Sequence, residues 1–230
     1  MKKKESLAVK SRLAPFFAIG PYLAGLARAR EVLMLKTARK TMIAGLLCSW
    51  LAPAPVFATS PSEQIERTVR QVMDVVGDAA NSQEQRRELL RETLMPRFDW
   101  LEMSKQALGK HWSRASGREQ EFVSVFADFL GNAYIGQIVS YRNEKVRFVH
   151  ESVDNEEAQV KTRIVSEKGE PTTVNYRLRR VDGEWKIYDV IVEDISIVVN
   201  YRSQFSRILA KGSFDDLVRQ LKQKELRARN

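Results

Sequence analysis

The sequence predicts an α+β fold: N-terminal helices, a four-stranded antiparallel curved sheet and two C-terminal helices around an apolar cavity. Three observations carry this. From Ser60 to Val139, and again from Ile195 to Leu221, apolar residues recur at three-and-four spacing, the period of a helix with one buried face. From Glu144 to Val192 the period drops to two, as in strands with one wet face. Between those strands lie Asp154-Asn155, Lys168-Gly169 and Asp182-Gly183, turn pairs that tolerate positive φ and fold each strand back beside the last. A curved sheet with helices over its apolar face leaves a gap in the middle.

The elements follow in order. Ser60-Pro61-Ser62-Glu63 opens a first helix with a capping residue and an acid, and Ile65, Val69, Val72, Met73 and Val76 give its apolar face. Asn81-Ser82 caps a second, with Leu89, Leu90 and Leu94 inside, and Pro96 ends it. A short third helix runs from Phe98-Asp99-Trp100-Leu101 to Leu108 and closes at Gly109. Ser116 is expected to cap a long helix whose Phe122, Phe126, Phe129, Leu130, Ala133, Ile135, Ile138 and Val139 are buried or face a cavity.

In the first strand Val146, Phe148 and His150 alternate with Arg147 and Val149; in the second Ala158, Val160, Thr162 and Ile164 form the apolar side. Val174, Tyr176 and Leu178 face inward on the third, Arg177 and Arg179 outward. The fourth, Glu184 to Val192, puts Trp185, Ile187 and Asp189 on one side and Lys186, Tyr188, Val190 and Val192 on the other. After Glu193-Asp194, a helix carries Ile195, Val198, Val199, Arg202, Phe205, Ile208 and Leu209. Gly212 stops it, and Ser213 caps a last helix with Phe214, Leu217, Val218 and Leu221.

The net charge of +9 is concentrated at the N-terminus. Of 38 Lys/Arg and 29 Asp/Glu, residues 1–58 hold ten and two, leaving 28 against 27 from Thr59 to Asn230. A nucleic-acid surface needs its basic excess on the folded part, so nucleic acid is not an expected partner. The leader reads as secretory. Lys36, Arg39 and Lys40 precede an apolar run, Met42 to Ala52, shorter than the roughly 20 residues that span a bilayer. Pro53 and Pro55 break the run, and Val56 and Ala58 place small residues where a signal peptidase reads, so cleavage is expected after Ala58. Translation is expected to start at Met34, with residues 1–33 a start-site artefact; a genuine upstream extension is the other reading. Cys48, the only cysteine, lies in the apolar run, so the exported chain has no disulfide, thiol nucleophile or thiolate metal site. Its 172 residues suit one domain with a sizeable core, residues 59–230.

No catalytic motif is present: there is no G-x-S-x-G, P-loop, G-x-G-x-x-G or H-E-x-x-H, and no cofactor is expected. His111 and His150 lie on different elements and lack ligand spacing. Asp189, on the Trp185–Ile187 face, could act as a base in an apolar cavity; the plainer reading is that it bonds a backbone amide or an Arg such as Arg202. Ser196 reads as a helix cap. Arg202 either anchors its helix or meets a head-group phosphate at a cavity mouth. An exported, nearly neutral domain without catalytic residues fits a lipid carrier. Each methylene kept from water is worth about 0.8 kcal/mol, so acyl chains need a dry pocket to cross water. The candidate lipid-binding residues are Phe122, Phe126, Phe129, Tyr134 and Ile138 on the long helix; Val146, Phe148, Val160, Ile164, Val174, Tyr176, Trp185 and Ile187 on the sheet; and Val198, Val199 and Phe205 on the next helix.

Trp185–Val190 (WKIYDV), Glu193 with Ser196, Asn200–Phe205 (NYRSQF) and Phe214–Leu221 (FDDLVRQL) resemble the MlaC-type proteins, also called the toluene-tolerance auxiliary family. Phe98, Asp99, Met103, Leu108 and Gly109 resemble a further family segment. The likeness is dense over Tyr176–Leu221 and looser over Phe98–Tyr141. It implies an NTF2-like arrangement and a periplasmic phospholipid carrier that is not an enzyme. It also implies two partners, an inner-membrane MCE-domain ABC transporter complex and an outer-membrane lipoprotein–porin complex. Asp194 stands where the family often has Gly, which leaves open the turn geometry and a sister branch tied to hopanoid or other lipid export. A cavity enzyme using Asp189 is the alternative from another class. A two-lobed solute-binding protein would need a longer chain.

Overall fold

Helices, then strands, then helices follow in the order the periodicity predicts. The structure, a computed structural model, describes residues 59–141, 144–165 and 171–229. The leader, its cleavage site and the Lys168-Gly169 turn lie outside the described residues. Helix α1 (Pro61–Gly77) starts at a reciprocal cap: Ser60 Oγ accepts from the Glu63 amide, and the Glu63 carboxylate accepts from the Ser60 amide. Ser82 and Gln85 repeat the device on α2 (Gln83–Leu94). Pro96 follows in a 3-10 turn, Met95–Arg97. Asp99 caps α3 (Trp100–Leu108), and Gly109 ends it at φ +52. A second 3-10 segment, Gly109–Ala115, leads to α4 (Glu119–Ile138). Ser116 does not cap α4; the cap position is Arg118, without a side-chain bond, because Gly117 at φ +77 still has to turn the chain.

Strands β1 (Lys145–Asp154), β2 (Glu157–Val165), β3 (Thr172–Val181) and β4 (Glu184–Val192) form the expected antiparallel meander. The sheet has a fifth strand, β5 (Ile195–Ser196), where four were expected. Glu193 and Asp194 both take positive φ, 47° and 64°, so the chain doubles back and pairs Val192 with Ile195 before entering α5 (Ile197–Leu209). Left-handed backbone costs an ordinary residue about 1–2 kcal/mol, which explains why Gly suits position 194 and how Asp, with its short polar side chain, can stand there. The turn is held from β3: Glu193 donates its amide to the Thr173 carbonyl at 3.0 Å, and its carboxylate accepts from the Thr173 amide. Helix α6 (Phe214–Arg229) closes the chain.

Two bulges change which residues face which way. The β3–β4 register pairs Arg177 with Asp189 but Leu178 with Ile187, so Tyr188 is an extra residue. Beyond it the alternation flips: Val190 and Val192 join Ile187 on the inner face, and Asp189 turns to the outer face with Arg177. Val149 is the extra residue in β1, and it moves His150 from the expected inner face to the outer one, opposite Lys161.

The apolar residues gather in three clusters. The largest joins α3, α4, α5 and α6 through Phe122, Phe126, Phe129, Val198, Phe205, Phe214 and Leu217. A second packs Ile65 of α1 on Ala158, Val160, Leu178, Trp185 and Ile187 of the sheet. A third ties Val76, Leu90, Ile135 and Val139 at the far ends of α1, α2 and α4. Among the described residues, no helix is long and apolar enough to cross a membrane.

Candidate functional site

Between these clusters lies a cavity of about 250 Å³. Helix α1 supplies Ile65, Thr68, Val69, Val72 and Met73, the one-sided spacing read from its sequence. The end of α2 and the following turn add Leu94, Met95, Arg97 and Phe98, and α3 adds Trp100 and Met103. Helix α4 contributes its second half: Leu130, Gly131, Tyr134, Ile135, Gln137 and Ile138. Tyr141 and Glu144 follow it. The sheet closes the other side with Val146, Ile164, Val174, Tyr176, Ile187, Val190 and Val192, and Ile197 starts α5.

The polar groups in this wall are few and mostly held. Tyr134 and Tyr201 share a hydrogen bond, and burial first, then Tyr201, raises the Tyr134 pKa above the ordinary tyrosine range. Burial pushes Tyr176 up to about 12, opposed by its bond to Thr162. Burial, then the Glu144 charge, raises Tyr141. All three phenols stay neutral, as an apolar wall requires. Among the described lining residues Arg97 is the only cation, and its Nε is buried without a hydrogen-bond partner.

Seven of the sixteen residues named from sequence line the cavity: Tyr134, Ile138, Val146, Ile164, Val174, Tyr176 and Ile187. Nine do not. Phe122, Phe126, Phe129, Val198 and Phe205 belong to the solid helical cluster, where Phe205 meets Phe122 and Phe126 edge-on at 6.0 and 5.4 Å between ring centres. Val160 and Trp185 are buried in the α1–sheet cluster. Phe148 lies half in solvent on the edge strand β1, and Val199 is 49% exposed because its neighbour Val198 takes the buried side of α5.

Arg202 is an anchor. Its Nε donates to the Gln106 carbonyl at 2.6 Å, and its aliphatic stem runs 3.2 Å from where a Cβ on Gly109 would sit. Position 109 therefore needs glycine for space as well as for φ. Asp189 does not line the cavity. It is buried on the other face, accepting from Ser196 Oγ at 2.7 Å and the Val198 amide at 3.2 Å, with Arg177 4.0 Å away. Ser196 Oγ in turn accepts from the Val199 amide, so this pair caps α5. Asp99 plays the matching part on the same face of the sheet, capping α3 while accepting from Arg179 Nε at 2.5 Å.

Sequence reasoning missed Val190 and Val192, because the Tyr188 bulge reverses them, and left the α1 face unassigned to the cavity although its periodicity was plain. Among the described residues no group of His, Cys, Asp and Glu could hold a metal ion.

Residues 66–223 match the MlaC protein family. The chain belongs to that family. It is 24% identical over 143 residues to the intermembrane phospholipid transport system binding protein MlaC of Haemophilus influenzae, covering 60% of this chain and 67% of that one. It is 26% identical over 170 residues to the toluene tolerance protein ttg2D of Pseudomonas putida, covering 70% and 78%. Among solved structures, the phospholipid-binding protein from Ralstonia solanacearum, in complex with a phospholipid, superposes with a TM-score of 0.66 at 22% identity. That match covers 75% of this chain and all of the other, and it shows that the two share a fold.

Proposed function

We propose that this MlaC-family protein carries a phospholipid, with the acyl chains in the cavity and the phosphate toward Arg97. The cavity carries the proposal. An unfilled apolar space costs about 24 cal/mol per Å³. At about 250 Å³, emptiness would cost on the order of 6 kcal/mol, comparable to the whole stability of an ordinary domain. Hydrocarbon removes that cost and gains about 0.8 kcal/mol per methylene taken from water. The unpartnered Arg97 Nε–H suits an anionic phosphodiester, since charge-assisted bonds to guanidinium are strong.

The names of the relatives support transport between membranes. The reading extends to a periplasmic shuttle after loss of residues 1–58, exchanging lipid with an inner-membrane MCE-domain ABC transporter complex and an outer-membrane lipoprotein–porin complex. ATP would be spent by the transporter. The position of Asp189, on the face away from the cavity and committed to the α5 cap, supports a carrier over a cavity enzyme. Native mass spectrometry of the purified protein followed by organic extraction tests the reading. A co-purifying diacyl glycerophospholipid is expected, with occupancy reduced in Arg97→Gln. Protein that is empty in repeated preparations and takes up no lipid from labelled vesicles would refute it.

A further inference from the structure

The outer face of the sheet carries a separate feature. Lys145, Arg147, Lys161 and Arg163 project from it, and all four are exposed. Arg147 lies directly opposite Arg163 across the β1–β2 ladder, and His150 lies opposite Lys161. Like charges facing each other across strands destabilise a sheet. None of the four cations forms an ion pair with a carboxylate among the described residues. Thr59 to Asn230 is otherwise nearly balanced, 28 basic against 27 acidic, so this is a local excess that folding does not favour.

The excess has sharp limits. Farther across the same face Arg177 is half-buried near Asp189, and Arg179 is committed to Asp99 and Glu102. At the hairpin end stand Asp154 and Glu157. The unpaired cations occupy only the Lys145 end of β1 and β2. Their neighbours in the chain, Val146 and Ile164, line the cavity from the inner face. One pair of strands thus presents a hydrocarbon wall on one side and unneutralised charge on the other.

We propose that this basic face docks on an anionic bilayer surface. Anionic head groups diffuse laterally and gather beneath cations, so spaced, unpaired Lys and Arg on a flat face suffice. A protein partner would draw its energy from buried aromatic or arginine anchors seated in pockets, and these exposed side chains stand on an open strand pair. The inference does not depend on the cargo, and cargo retention is read separately by mass.

Co-flotation of the full chain with vesicles of phosphatidylcholine, alone or with phosphatidylglycerol added, tests it. Binding is expected only with phosphatidylglycerol and is expected to fade at high salt. The double variant Arg147→Glu/Arg163→Glu should partition at least roughly tenfold less. It keeps like charges opposed, so its thermal midpoint should stay near the parent's, while Arg147→Glu alone should raise the midpoint. Lys222→Glu/Lys224→Glu, on α6, should leave partitioning unchanged, and amide exchange should slow in β1 and β2 when anionic vesicles are present. The proposal is overturned by equal partitioning of the double variant and the parent, by binding indifferent to phosphatidylglycerol, or by capture on an acidic polypeptide with no vesicle binding.

Discussion

Both ends of α4 carry large apolar residues, and these have opposite fates. Phe122, Phe126 and Phe129 in the first half are clamped by α3, α5 and α6, with Phe126 meeting Tyr201 edge-on at 5.6 Å. Leu130, Tyr134, Ile135 and Ile138 in the second half line open space. Gly131 sits at the change, and there a Cβ would come within 3.0 Å of Met95 Sδ. The difference lies in what each half faces. The first meets aromatic rings that interlock at 5.4–6.0 Å. The second faces the cavity, with Val69, Val72 and Met73 of α1 and Val174, Tyr176 and Val190 of the sheet on the other walls. Solidity and hollowness are properties of partners, not of the helix.

The largest effect should come from the solid end. Phe126→Ala is expected to cost about 3–5 kcal/mol in urea unfolding, while Ile138→Ala, already facing space, should cost under about 2 kcal/mol. Equal costs would mean that both ends are packed alike and would end the comparison. Next, Asp189→Asn should cost about 1–3 kcal/mol by thermal unfolding, since it weakens bonds to Ser196 and Val198 at the start of α5, and should leave lipid occupancy unchanged. Loss of lipid with the fold intact would show that the solid side governs the hollow one.

Adding bulk separates the two regions further. Val69→Trp, projecting into the cavity, should change stability by no more than about 1 kcal/mol while displacing lipid; Ala107→Leu, in the helical cluster, should cost about 1–3 kcal/mol and leave lipid in place. Extraction and urea titration of both variants read the contrast. The smallest effect concerns alkali. Tyr176 is held neutral up to about 12 against an ordinary value of 10.0. The stability that comes from keeping it neutral is complete below pH 10 and is lost as pH rises toward 12. Tyr176→Phe should therefore lose stability less steeply than the parent over that window, and parallel curves would count against a dry wall at β3.

Local features were readable in advance because their causes are local. Ser60 and Ser82 cap helices within three residues of themselves, and Asp182-Gly183 turns at φ +50 and +82. The bulge at Tyr188 was not readable, since its cause is the pairing of β4 with β3. Because that bulge sets the face of every later residue, Asp189, Val190 and Val192 were all placed on the wrong side. Ser116 shows a milder form: a good capping residue goes unused where Gly117 delays the helix. Phe122 and Tyr134 read alike as apolar positions of one helix, and nothing in their spacing says that one is clamped and the other faces space.

By itself, then, the sequence determined the element order, the meander, the caps and the family to which the chain belongs, because periodicity, turn chemistry and motif are written along the backbone. Tertiary structure alone decided where the hollow lies, which way Asp189 points and where unpaired cations collect. Those depend on register and on which side chains meet across elements, distances that no spacing within one segment contains.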